Sequence, residues 1–108
     1  MLFITNIRIK DLFYTLPMEE QIKRAAGTRA FGEKYVKLGK FKGYYASVDL
    51  KRFVVIWEAD SVEDAARVFA DHPNANFIEY DSFPVIEYRD YIKIITEVRE
   101  AQQKAPNK

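Results

Sequence analysis

Cysteine is absent from the 108 residues, and with it go disulfides, thiolate nucleophiles and thiolate metal sites. Glycine is scarce, at four residues, and none falls in a GxGxxG or P-loop pattern; Gly27 and Gly32 lie inside a helical stretch and cradle no phosphate. Charge of one sign is missing too. Lys plus Arg number 17 against 16 Asp plus Glu, a formal net charge of +1, so electrostatics makes no case for nucleic acid or an acidic membrane as partner. No GxSxG occurs, and Ser47, Ser61 and Ser82 have no neighbouring histidine to activate them. The one histidine, His72, follows Asp71 with Glu79 not far beyond, and nothing else in the chain approaches metal-ligand spacing. No metal and no cofactor are expected. The opening MLFITNIRIKDLF is broken by Asn6, Arg8 and Lys10 and lacks the basic start and small-residue cleavage site of a signal peptide. A cytoplasmic location is the expectation.

There is ample material for a core: 48% of residues are hydrophobic and 15% aromatic, enough for one packed domain in a chain too short for two. The richest stretch is Arg52 to Pro73. Phe53, Val54, Val55, Ile56 and Trp57 are β-branched or aromatic on both alternating faces, the pattern of a central strand that needs cover on two sides. Asp60 or Ser61 then caps a helix with almost no intervening loop, Glu63 or Asp64 completes the capping box, and Val62, Ala65, Ala66 and Phe69 form one stripe before Pro73 ends it.

Around this unit, Leu2 to Ile9 alternates as a strand, and a helix starts near Pro17, runs to about Leu38 and stops at Gly39. Gly43 to Asp49 reads as a second strand, turning through Asp49, Leu50 and Lys51 into the third. Phe77 to Tyr80 resumes strand character, and Pro84 suits an edge strand or a bulge. From Asp90 onward a short C-terminal helix frays toward Pro106. The order β-α-β-β-α-β is the ferredoxin-like α+β arrangement, an antiparallel sheet with both helices on one face, over residues 1–90, with residues 91–108 as an appended helix and tail. One sheet face is left bare, and a homodimer or higher homo-oligomer, packed sheet to sheet, is the expected remedy.

The first helix offers two stripes: Ile22, Ala25, Ala26 and Val36 on one side, and Phe31, Tyr35 and Leu38 nearly opposite. Either a glycine bends the helix so that the buried stripe changes phase, or one stripe meets the sheet and the other a second chain or the C-terminal helix.

The start MLF, the spacing from Pro17 to Gly39 and Lys40, the ADS of Ala59 to Ser61, Pro73 closing the second helix and the F-I-E run of Phe77 to Glu79 together give the first 90 or so residues a resemblance to the muconolactone isomerase-like proteins of the dimeric α+β barrels. The resemblance implies a barrel made by two copies and a lactone site served by charged side chains of the first helix and a hairpin histidine. The matching positions here hold Ala25, Gly27 or Thr28, and Leu50 or Lys51. A proton shift between lactone carbons needs a base at neutral pH, and those positions supply none.

The remaining candidates come from strand faces. Glu58 continues the face of Val54 and Ile56, and with His72 it is the candidate for handling protons; His72 reads otherwise as a solvated residue at a helix C-terminus. Asn6 and Arg8, on the face of Leu2 and Ile4, are candidates for a carbonyl or anionic group, together with Glu79 and one of the pair Tyr44 and Tyr45, taken as Tyr45. The expected ligand is a small aromatic or lactone-like metabolite held between the sheets. The other readings are a non-catalytic metabolite-binding or assembly module, and a cofactor-independent monooxygenase-like enzyme.

Overall fold

The computed structural model describes residues 1–104. In strand β1 (Leu2–Ile9) the alternation is strict: Phe3, Thr5 and Ile7 are buried, while Leu2, Ile4, Asn6 and Arg8 face the other way. A 3-10 turn (Asp11–Thr15), missed by the sequence reading, leads to helix α1 (Met18–Lys37). Strands β2 (Phe41–Ala46) and β3 (Arg52–Glu58) form a hairpin, followed by α2 (Val62–Ala70), a second 3-10 turn (Ala75–Phe77), β4 (Ile78–Val85) and α3 (Tyr88–Lys104). The strands lie in the order β2-β3-β1-β4, all antiparallel. This is the expected ferredoxin-like α+β sheet, with an added C-terminal helix.

Register assigns every strand residue a face. Phe3 opposes Trp57, Thr5 opposes Val55 and Ile7 opposes Phe53, so these lie on the helix-covered side. There Phe31 and Tyr35 of α1 and Phe69 of α2 meet Phe41 and Trp57 at ring-centroid distances of 5.4 to 6.2 Å. The core's polar atoms are paired: Trp57 Nε1 donates to Thr5 Oγ1 at 2.9 Å, and Thr5 Oγ1 lies 2.8 Å from Ser82 Oγ.

The caps follow the sequence. Ser61 is the N-cap of α2, its Oγ accepting from Asp64 N at 3.0 Å, and the Asp64 carboxylate accepts in turn from Asp60 N. Gly39 sits at φ +74° after α1, and the bonds Gly39 N to Val36 O and Lys40 N to Tyr35 O make a Schellman ending.

Several boundaries and stripes differ from expectation. The second strand is Phe41–Ala46, not Gly43–Asp49, because Ser47 and Asp49 are taken up in the turn: Leu50 N donates to Ser47 O, and Lys51 N to the Asp49 carboxylate. In α2 the buried residues are Ala65, Val68 and Phe69, while Val62 and Ala66 are exposed. In α1 the buried stripe is Phe31, Gly32 and Tyr35, the helix is continuous through both glycines, and Ile22, Ala25, Ala26 and Val36 are exposed. Helix α3 begins two residues before Asp90 and runs through Lys104; Pro106 lies outside the described residues.

Candidate functional site

Between α1 and the helix-covered face of the sheet lies a cleft of about 480 Å³. Its walls are mostly apolar: Ile7 and Ile9 from β1 and Ile78 from β4, Phe53 and Tyr44 from the hairpin strands, Phe13 and Phe77 from the two 3-10 turns. Leu50 closes the hairpin end and is held there at φ 63°, a left-handed conformation that costs a branched side chain on the order of 1 kcal/mol. Ala25 and Thr28 line it from α1, with Arg29.

Three polar residues of the cleft, Thr28, His72 and Asn74, are joined in a cluster around Asn74, which is 5% exposed, with Arg24 behind it. Asn74 Nδ2 donates to Arg24 O and to Thr28 Oγ1, both at 2.7 Å, and so fastens the α2–β4 connection to α1. The Asn74 backbone N–H donates to His72 Nδ1 at 3.0 Å. The Arg24 guanidinium covers the Phe77 ring, 4.6 Å from its centroid. Arg24 Nε is 3.0 Å from Glu20 Oε1, yet its buried N–H is not aligned on that oxygen, so the contact is ionic without a good hydrogen bond.

His72 is 4% exposed and packs on Phe31 with ring centroids 4.6 Å apart. Burial holds its imidazole below the usual histidine range, and the neighbouring Asp71 carboxylate offsets this only in part. The ring is therefore neutral at pH 7. Because Nδ1 is an acceptor, the proton sits on Nε2, which makes no hydrogen bond to another described residue. Tyr44, also in the cleft, stays a phenol because burial raises its pKa. Among the described residues no carboxylate lines the cleft. Chemically it offers Nε2–H of His72 and the hydroxyl of Thr28 as donors in a mostly apolar chamber, beside the Tyr14 and Tyr44 hydroxyls and the Arg29 guanidinium.

The six candidate residues divide. His72 alone lies in the cleft. Asn6, Arg8, Tyr45, Glu58 and Glu79 all belong to the opposite, helix-free face, because period-two alternation sends Asn6 and Arg8 away from Ile7, and Glu58 away from Trp57. Arg8 and Glu79 pair there at 2.8 Å, and with Asn6 they border a shallow depression shared with Arg52 and Asp81. Their pairing raises the Arg8 pKa and lowers that of Glu79. Glu58 is exposed, 3.4 Å from the Met1 amino group. Asp71 is drawn off to Lys34 Nζ and Tyr35 OH, each at 2.9 Å, so Asp71, His72 and Glu79 form no ligand set. Among the described residues no cluster of three or more His, Cys, Asp or Glu could hold a metal. Of the pair Tyr44 and Tyr45 it is Tyr44, on the Val55 side of the sheet, and not Tyr45 that reaches the cleft, and Thr28, one of the positions the resemblance pointed to, lines it from α1; Asn74 is the cleft residue for which the sequence carried no signal.

Residues 1–99 match the family model for a domain of unknown function, DUF3303. The chain belongs to this family. A crystal structure of protein Atu4242 from Agrobacterium tumefaciens is similar at 17% identity and a TM-score of 0.42, covering 82% of this chain and 96% of that one. No curated protein matches the chain. Among the described residues no helix is long and apolar enough to cross a membrane.

Proposed function

We propose that the protein binds a small aromatic or lactone-like metabolite in the cleft between α1 and the sheet, and binds it by an oxygen atom. The observation that carries this is the neutral His72, its Nδ1 taken by Asn74 N–H and its Nε2–H left for an acceptor inside an apolar chamber. A pocket with apolar walls and a few convergent donors is the usual form of a small-molecule site. Ala25, Thr28 and Leu50, the positions that the muconolactone isomerase resemblance points to, line this same cleft. The resemblance supports the place, and the chemistry of those residues argues against the reaction. Proton abstraction by His72 would need a free ring lone pair, and freeing Nδ1 would leave the buried Asn74 N–H without its acceptor, at a cost of about 1–3 kcal/mol. The reading is therefore a binding protein, or an enzyme that polarises a carbonyl without removing a proton. Glu58, the other proton-handling candidate, lies on the far side of the sheet.

The test uses 4-nitrophenol and muconolactone as probes with amide NMR. Both should shift signals of Thr28, Leu50 and His72, and Leu50→Gly should weaken binding. That variant opens the wall while relieving the positive φ, so its stability should stay within about 1 kcal/mol of the parent. Muconolactone should not turn over. If neither probe binds, the reading is wrong; turnover near about 1 per second, abolished by His72→Ala or Glu58→Gln, would make the protein an isomerase.

A further inference from the structure

Among the described residues, Arg29 is the only Lys, Arg, Asp or Glu that lines the cleft, so the formal charge there is positive. Arg8 and Arg24 are taken up by Glu79 and Glu20. Arg29 makes no ion pair with a described residue, Glu33 one turn further along α1 included. The other polar groups facing the chamber are neutral and have protons to give. His72 offers Nε2–H, the Thr28 oxygen accepts from Asn74 and keeps its own O–H, and Tyr14 and Tyr44 bring phenols. A chamber furnished with donors and a cation, and with no anion to balance them, favours a ligand that is negative and rich in acceptors.

The cleft also has a direction. Arg29 is exposed, and with Tyr44 it lines a shallow groove outside the cleft, beside Gly32 and Glu33, so these two residues stand at the mouth. His72 and Asn74, both buried, form the inner end. A carboxylate loses too much hydration to sit at that inner end unpaired. At the mouth it keeps part of its water, and a guanidinium fork matches its two oxygens. Between the ends, Phe13, Phe53, Phe77 and Tyr44 present aromatic surface suited to a flat ring, in a volume of about 480 Å³. A phosphate fits poorly: it would find a single cation, and no residue from the first turn of α1 or α2 lines the cleft to offer it backbone N–H groups.

We propose that the cleft takes an aromatic monocarboxylic acid, its ring among Phe13, Phe53 and Phe77, its carboxylate on Arg29 at the mouth, and a second oxygen at the far end of the ring accepting from Nε2–H of His72. It rests on the reading of the cleft as a small-molecule site, and adds to that reading the sign of the ligand's charge and the residue that recognises it. Arg29 acts here in recognition alone.

4-Nitrobenzoate and 4-nitrobenzamide test it, because they share a ring and its nitro oxygens and differ in charge. Amide NMR titrations with the full chain follow the signals of Thr28, Leu50 and His72 in the parent, in Arg29→Gln and in Arg52→Gln, whose arginine lies on the opposite sheet face. Both substitutions are at exposed positions, and glutamine is a good helix former, so the folds should persist. In the parent the acid should bind about fivefold tighter than the amide, the scale of a partly exposed ion pair, and added salt should narrow the gap. Arg29→Gln should abolish the preference and leave the amide's affinity as it was; Arg52→Gln should change neither. Equal binding of the two probes in the parent, or an acid preference that survives Arg29→Gln, overturns the proposal while the cleft stands as a small-molecule site. If neither probe shifts those signals, that reading fails and the proposal fails with it.

Discussion

His72 shows how one residue's partners decide its chemistry. A histidine past a helix end reads as a solvated cation favoured by the helix dipole, and the sequence supports that reading because Asp71 and His72 do follow α2. Its burial was not legible, since Phe31 and Asn74, which enclose it, arrive from α1 and from the connection to β4. The consequence for stability has a definite sign. Folding lowers the imidazole pKa, so below about pH 6.5 the unfolded chain takes up a proton that the folded one does not. Stability is complete above that pH and falls as the pH drops toward the folded-state value. The carboxylates whose pKa values are lowered, Asp49, Asp64, Asp71 and Glu79, add their own losses only at more acidic pH. Urea midpoints measured between about pH 7.5 and about pH 5 should therefore decline in the parent. His72→Gln, which keeps an acceptor for Asn74 N–H and cannot titrate, should stay flat. Equal declines in the two proteins would place the titration at another group.

At the scale of elements, α1 was the part the sequence left open, and the structure resolves it by side-chain size. Phe31 and Tyr35 each bury far more apolar area than Ala25 or Ala26, so the aromatic pair takes the sheet, while Ile22, Ala26 and Val36 are left exposed and Ala25 borders the open cleft. Gly32 makes that choice possible. A Cβ there would run into the Tyr44 ring at Cε2, so the glycine lets the helix lie directly against Tyr44 and thereby shapes the cleft. Alanine would gain about 1 kcal/mol of helix propensity, but overpacking against a ring already wedged between helix and sheet costs about 1–3 kcal/mol. Gly32→Ala should be destabilising on balance, seen as a lower thermal midpoint, and Tyr44→Leu in the same chain should recover most of it. An unchanged or raised midpoint for the single variant would show that Tyr44 can move aside. In α2 the cap was readable and the stripe was off by one phase: Val62-Ala65-Ala66-Phe69 and Ala65-Val68-Phe69-His72 share the same spacing, and only the position of the sheet chooses between them.

At the scale of the whole molecule, the sheet was readable and the cleft was not, for one reason. Strand faces follow from alternation within a single segment, whereas the cleft is assembled from α1, the hairpin turn, both 3-10 turns and the α2–β4 connection, pieces far apart in the chain. The same alternation separates two adjacent residues of β3. Val55 is fully buried between sheet and helices, while Ile56, its neighbour, points to the open face. An aspartate at position 55 would be an unpaired charge in the core, a penalty of several kcal/mol, comparable with the total stability of about 5–15 kcal/mol for a domain. Val55→Asp should therefore unfold the protomer, with loss of the cooperative melt by circular dichroism. At position 56 the carboxylate can stay hydrated in an isolated protomer, and its burial arises only if another copy covers the sheet. Ile56→Asp should keep its secondary structure and sediment as a monomer. If Ile56→Asp unfolds as Val55→Asp does, the open face is already covered within the protomer; if it stays a folded dimer, the second copy sits elsewhere.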